Sequence, residues 1–272
     1  MRFAIALALS VSALQGSAQD RRPATDGRAL DQVLDLFVRD GMVYYRALKL
    51  ERSRLDAYLT ALSSASIDSA PRDEQVAFWL NAYNALVLRT VIDHYPIAGR
   101  NPAYPARSIR QIPGAFERTQ HRVAGRLVTL DGIETSILPA FRDPRLYLAL
   151  GRGAMDSGRL RSEAFVPENL ESQLTEVSRE CISRSQCVAI DTGANQVQVS
   201  AIFSWRERDF VAAYAETADA RFASRSPVER AVLAFVEPKL LTTEREFLAK
   251  NQFQVVFRPF DWALNDLTGR GR

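Results

Sequence analysis

Residues 76–92 read VAFWLNAYNALVLRTVI, and the fold turns on this run. It is apolar on nearly every side of a helix, so it predicts a central buried helix rather than an amphipathic surface one. Pro71 and Asp73 supply a start, Glu74 suits the positive N-terminal end, and Pro96 follows the end, which places the helix at Asp73–His94. Two asparagines interrupt the run. Asn81 and Asn84 are three residues apart, so they share a helix face, and a buried amide is costly unless it is hydrogen-bonded. They either tie loops to the core or orient a ligand site.

On the N-terminal side, Leu30, Val33, Leu34, Phe37 and Val38 recur at helical spacing up to Gly41. Leu50 to Leu62 repeats the pattern. On the C-terminal side the elements alternate. His121 to Val128 reads as two short strands about an Ala-Gly turn, and Asp131 to Leu138 as a short helix. Leu146 to Leu150 is a short buried apolar element, and Glu168 to Ile182 another helix. Val188 to Val199 reads as a second hairpin, Pro227 opens a helix to Val236, and Phe253 to Phe257 is a late strand. No repeat and no linker divides the chain. The predicted class is α+β: a helix-rich single domain over residues 29–266 with a small antiparallel sheet, then a tail at 267–272.

The start of the chain reads differently. Arg2 precedes an apolar stretch from Phe3 to Leu14, with small residues Gly16 and Ala18 at the positions a signal peptidase reads. The expectation is a signal peptide over 1–18, cleaved near Ala18, then a flexible lead-in at 19–28 and a periplasmic or secreted protein. The apolar stretch is shorter than the roughly 20 residues a membrane span needs, and charges interrupt every later one. No membrane span is expected.

Of 35 basic residues only Lys49, Lys239 and Lys250 are lysines; against 32 acidic residues the net charge is +3. Spread over 272 residues, this is no nucleic-acid footprint. With two histidines, imidazole chemistry has little material: His94 falls in the last turn of the long helix, where a cation meets the negative dipole end, and His121 has no evident carboxylate partner. No local spacing supplies a zinc site, and no metal or cofactor is expected. Cys181 and Cys187 are six positions apart where a helix gives way to a strand. In an oxidising compartment they either close a small disulfide loop or remain two buried thiols.

Gly151 to Arg161, GRGAMDSGRLR, has P-loop glycine spacing but lacks the lysine and the Ser/Thr that hold phosphate and magnesium. It gathers Arg152, Arg159 and Arg161 near Arg145. Such a cluster is either a solvated face laced with ion pairs or a receptor for an anion. Glu134 is a lone acid inside an apolar short helix, by residue type a buried partner for an arginine.

Five stretches occur in order: QVAFWLNAYNALVLRTVIDHYP from Gln75, LVTLDGIETSIL from Leu127, DPRLYLAL from Asp143, IFSWRERDF from Ile202 and FDWALND from Phe260. Together they resemble the bacterial and plant family called domain of unknown function 547, over roughly Tyr44 to Asp266. The resemblance implies no established reaction, but it implies a comparison. Family members usually carry I-E-H in the short helix, then D-P-R-x-H-F-A-L, a cysteine just beyond and a Cys-Pro after it, a set similar to what papain-like thiol enzymes need. Here Glu134 keeps the acid, Thr135 and Tyr147 stand where the histidines would be, Arg152 at the first cysteine, and Ser157 with Gly158 at the Cys-Pro.

The reading that follows is an exported, catalytically degenerate member that binds a ligand or partner. Asn81, Asn84, Arg145, Arg152 and Arg159 are its candidate binding residues, and an anionic small molecule, an acidic peptide or an envelope protein its candidate partner. The alternative is a hydrolase using Glu134 with Ser157 or an activated water. A Glu134 closed off from solvent and locked to Arg145 would exclude it. Trp205 and Trp262 are expected to serve as core anchors rather than binding platforms.

Overall fold

In the computed structural model, which describes residues 27–267, the chain runs through ten helices, seven short strands and a series of 3-10 turns. The N-terminal helices are α1 (Arg28–Phe37), α2 (Tyr45–Leu50) and α3 (Ser53–Ser63), with a two-stranded ribbon of β1 (Val38–Arg39) and β2 (Met42–Val43) between the first two. Arg28, the last residue of the expected lead-in, already opens α1, and residues 19–26 lie outside the described residues. The single helix read at Leu50–Leu62 is instead two, α2 and α3, broken at Glu51–Arg52. The expected signal segment lies outside the described residues.

The axis of the fold is α4 (Arg72–His94), with Asp73 and Glu74 in its first turn. Every residue from Val76 to Leu88 is buried, as are Thr90, Val91 and Ile92. Helices α2 and α3 pack against one side of α4, and one hydrophobic cluster extends from Leu30 to Leu264. A buried leucine or valine contributes roughly 1.5–3 kcal/mol relative to exposure, so this helix is the largest source of cohesion in the chain.

The predicted hairpin at 121–128 is present as β3 (His121–Val123) and β4 (Arg126–Val128). Ala124 and Gly125 turn with φ of 49° and 73°, the positive pair that a two-residue hairpin loop requires. Their amides donate to Leu62 and Ser63 at the end of α3, which fixes the hairpin to the helical layer.

The helix expected at Asp131–Leu138 is broken into three kinds of turn. An α-helical turn, α5 (Leu130–Gly132), passes into a π-helical turn at Ile133–Ile137 and a 3-10 turn at Leu138–Phe141. Pro139 lacks an N–H and cannot continue an α-helix, and the widened π turn carries Glu134. Asp143 caps the next 3-10 turn, Pro144–Leu148, by accepting the Arg145 amide.

Helix α6 (Leu170–Ser183) leads into β5 (Val188–Asp191), which pairs antiparallel with β6 (Gln196–Val199). Helices α7 (Ala201–Trp205), α8 (Glu207–Tyr214), α9 (Pro227–Val236) and α10 (Thr242–Ala249) follow, α9 opening with a Ser226–Glu229 capping box. The last strand, β7 (Gln254–Phe257), pairs parallel with β6. The three-stranded sheet is therefore mixed rather than wholly antiparallel, because the chain passes through four helices before it returns to the sheet in the same direction. Beyond β7 the chain straps back across the molecule. Leu264 donates to Arg107, Val43 to Asn265 and Leu267 to Val43, so residue 267, expected in the tail, is bonded into the fold.

Candidate functional site

Glu134 is the centre of the chemistry. The π turn directs its side chain into the protein, where only 5% of the residue is exposed. Arg152 approaches with two nitrogens, Nε at 3.2 Å from Oε1 and a terminal nitrogen at 2.7 Å from Oε2. Arg206, at the α7–α8 junction, donates to Oε2 at 2.8 Å, and the Tyr83 hydroxyl of α4 donates to Oε1. One carboxylate thus receives two guanidinium groups and a phenol.

The energetics follow from burial. Desolvation alone would raise the Glu134 pKa, but the Arg152 charge and its hydrogen bonds, with Tyr83 and Arg206, outweigh it and hold the carboxyl below its ordinary value. Burial and the neighbouring carboxylate push the Tyr83 hydroxyl well above its usual range, so it stays protonated and donates. A carboxylate held ionised in this way has no proton to give as a general acid.

Arg152 is 2% exposed and makes a further bond to the Tyr147 carbonyl at 3.1 Å. Its backbone is set by the loop around it. Ser157 Oγ accepts the amides of Arg152 and Ala154, and Asn84 Oδ1 accepts Gly151 N–H at 2.8 Å. Gly158 packs so closely that a Cβ there would lie 1.9 Å from the Leu148 carbonyl oxygen, which only glycine avoids. The loop that superficially resembles a phosphate cradle therefore delivers one arginine to the core.

Above the carboxylate lies a cavity of about 270 Å3. Its lining combines the buried Glu134 and Arg152 with Asp131, Thr135, Arg206, Arg110, Phe116, Trp205 and Trp262. The Arg110 guanidinium sits 4.4 Å from the ring centres of both Phe116 and Trp262. That of Arg206 lies 4.7 Å from the Tyr147 ring. Trp205 and Trp262 stack with centroids 5.9 Å apart. The Nε atoms of Arg110 and Arg206 are buried without a hydrogen-bond partner among the described residues. The expectation that both tryptophans anchor the core fails for Trp205, which is 44% exposed and walls the cavity.

The other residues singled out from sequence have separate places. Asn81 clamps the Phe165 backbone through both its amide atoms, at 2.8 and 2.9 Å, and Asn84 holds Ala149 and Gly151. Both tie loops to α4, and neither lines the cavity. Arg145 is not the partner of Glu134: it pairs with Asp143 and Glu171 at 2.7 Å each. Arg159 pairs with Asp40 at 3.0 Å and Glu180 at 2.6 Å and lines a different pocket from Arg152. Ser157 lines that second pocket too, whose open space of about 20 Å3 is beside Cys181 and Cys187. The two cysteines are joined as a disulfide. His94 Nδ1 lies 2.9 Å from the Thr90 carbonyl within its own helix. His121 is half-buried; burial and the nearby Arg89 lower its pKa against the opposing pull of Asp93.

Sequence reasoning missed Arg206 and Arg110. Arg206 is 72 residues from Glu134, and its only signal was its place in the IFSWRERDF stretch. Among the described residues, no group of three or more His, Cys, Asp or Glu side chains is placed to hold a metal ion, and no helix is long and apolar enough to cross a membrane.

Fold and site together define a helix-rich α+β domain with a buried, doubly paired glutamate beneath an arginine- and tryptophan-walled cavity. Residues 67–182 match the family described as Protein of unknown function, DUF547, and the chain carries that family's domain over this segment. No curated protein and no solved structure matches the chain. The matched segment contains α4, Glu134, Thr135, Tyr147 and Arg152; Arg206, Trp205 and Trp262 come from the chain beyond it.

Proposed function

We propose that this protein is exported and binds a small anionic ligand with a flat or aromatic body, without turning it over. The observation that carries the reading is the cavity at Glu134, which Arg110 and Arg206 line together with Trp205, Trp262 and Phe116. The Arg110 guanidinium, paired with Glu117, and that of Arg206, paired with Glu134, set positive charge in the lining that an anionic ligand would meet. Guanidinium forks match carboxylate and phosphate geometry, and the indole faces suit a planar group. The volume is near the small end of the roughly 300–1,000 Å3 range of ligand pockets, which favours a single-ring molecule.

The positions at which the family resemblance places reactive side chains support a binding role. Thr135 and Arg152 lie at the cavity, and Tyr147 lies under Arg206. Arg152 now neutralises the acid. The disulfide accords with an oxidising compartment after cleavage near Ala18, periplasmic or secreted.

Benzoate and its uncharged counterpart benzamide test the reading, with tryptophan fluorescence as the readout. Saturable quenching by benzoate at millimolar concentration, absent with benzamide and lost in Arg110→Met, is the expected result. Equal responses to the two probes, or no response to benzoate, would sink it. Arg110 is chosen because it has no bond to Glu134, so its loss leaves the buried cluster whole.

A further inference from the structure

A second surface is independent of that cavity. The sheet order is β5-β6-β7, so β5 is an edge, and a groove of about 730 Å3 runs along it. Val188, Ala189 and Ile190, three consecutive residues of β5, all line the groove. Side chains alternate faces along a strand, so consecutive residues border one groove only along the backbone edge.

The phase of the ladder shows which groups that edge presents. Ser200 N–H donates to the Cys187 carbonyl at 2.8 Å, making this a bonded pair. Val188 opposite Val199 and Ile190 opposite Val197 are then the non-bonded pairs, whose backbone groups turn away from each other. Two bonds fix the same phase: the Val199 carbonyl accepts from Arg258 on the far side, and Val188 N–H donates outward to Arg184. The Ile190 N–H and C=O and the Val188 C=O therefore point from the edge, away from β6, and none has a partner among the described residues. One donor and two acceptors at two-residue spacing are what an added strand uses.

The groove also has a sign. Arg179 is exposed and makes no ion pair among the described residues, and Lys239, which ends the 3-10 turn Glu237–Lys239 and donates to the Phe235 carbonyl at 2.6 Å, lines the same groove. Burial, with Arg145 and Arg179 nearby, lowers the Lys239 pKa. The one lining acid, Glu244, is engaged by the Leu241 amide at 2.8 Å. Leu240 and the 70% exposed Leu241 add an apolar rim.

We propose that the β5 edge receives an extended segment of a partner protein as an added strand, with acidic side chains toward Arg179 and Lys239 and apolar ones toward Leu240 and Leu241. The chain's own C-terminal TGRGR is basic and does not complement these cations.

The probe is a fluorescein-labelled peptide Val-Glu-Val-Asp-Val-Glu, titrated with the full chain and read by anisotropy. Saturable binding is expected, weakened at least about tenfold by Arg179→Glu. Ile190→Pro deletes an N–H that β6 does not use, and edge strands tolerate proline. This variant loses some Ile190 packing and should unfold cooperatively at a somewhat lower temperature, yet lose the peptide while folded. N-methylation of alternate peptide amides should abolish binding in one phase and spare it in the other. Equal binding of a Val-Lys peptide, indifference to N-methylation in both phases, or no binding at millimolar peptide would overturn the proposal. So would self-association of the chain abolished by Ile190→Pro, which would make a second copy the occupant.

Discussion

The loop from Gly151 to Arg161 sends its arginines into two environments. Arg152 enters the core and meets Glu134 with 2% of its side chain exposed, whereas Arg159 and Arg161 meet carboxylates that are 25–80% exposed, those of Asp40, Glu163, Glu176 and Glu180. Chemically the pairs are alike, and at both places one guanidinium meets a carboxylate within 2.7 Å. What differs is the water. An exposed pair exchanges solvation for contact and gains little, while removing one member of a buried pair strands the other in a medium that cannot solvate it.

That contrast is broken most directly at Arg152. Arg152→Ala should lower unfolding free energy by about 3–5 kcal/mol, because Glu134 would keep only Tyr83 and Arg206. Urea denaturation followed by tryptophan fluorescence measures it. The double variant Arg152→Met, Glu134→Leu should cost less than the single one, since no buried carboxylate is left uncompensated. If single and double variants are equally unstable, the ion pair is not the cause, and packing of the arginine stem is.

Removing a neutral donor should cost less. Tyr83→Phe deletes the hydroxyl bonded to Glu134, and a hydrogen bond to a charged group is worth roughly 1.5–3 kcal/mol. The loss should shrink sharply in a Glu134→Gln background, because the acceptor would no longer be charged. A double-mutant cycle over these two positions gives the coupling directly.

The same cluster sets an acid limb. The folded-state pKa of Glu134 lies below its unfolded value of about 4.3. The unfolded chain therefore binds more protons in that window, and stability rises with pH there. This contribution is complete above about pH 4.3 and is lost as pH falls through the folded value. Glu134→Gln should flatten the stability profile below that pH, measured by denaturation from pH 6 downward. An unchanged slope would locate the acid sensitivity in other carboxylates.

How much of this was legible beforehand depended on the range of the interaction. The α4 run, the Ala-Gly hairpin and the proline that opens α9 are local, and periodicity or turn chemistry reveals them. The stretch from Leu130 to Phe141 was not, because its apolar spacing fits one helix while Pro139 and the inward turn of Glu134 force a π turn and a 3-10 turn. That the partner of Glu134 is Arg152 and not Arg145 was hidden for a similar reason. Asp143, two residues away, holds Arg145 through its own cap, and Glu171 completes the fork. Arg152 was marked as the residue in a cysteine's place and read as an anion receptor. Sequence could not show that its charge was already spent on Glu134. Arg110 and Arg206, which line the cavity, come together only through tertiary packing.

The smallest effect belongs to the surface half of the comparison. Arg159 is 32% exposed and its partner Asp40 80%, so each contact is screened by solvent and salt. Arg159→Ala should change stability by no more than about 1 kcal/mol, and 1 M salt should erase most of that difference. Arg161 is the sharper probe. It is only 12% exposed and meets Glu163, Glu176 and Glu180 together. A network shares the entropy of ordering one side chain among three contacts, so Arg161→Ala should exceed Arg159→Ala while remaining well below Arg152→Ala. If Arg161→Ala matches Arg152→Ala, charge number rather than burial governs the loop, and the contrast between its two environments is lost.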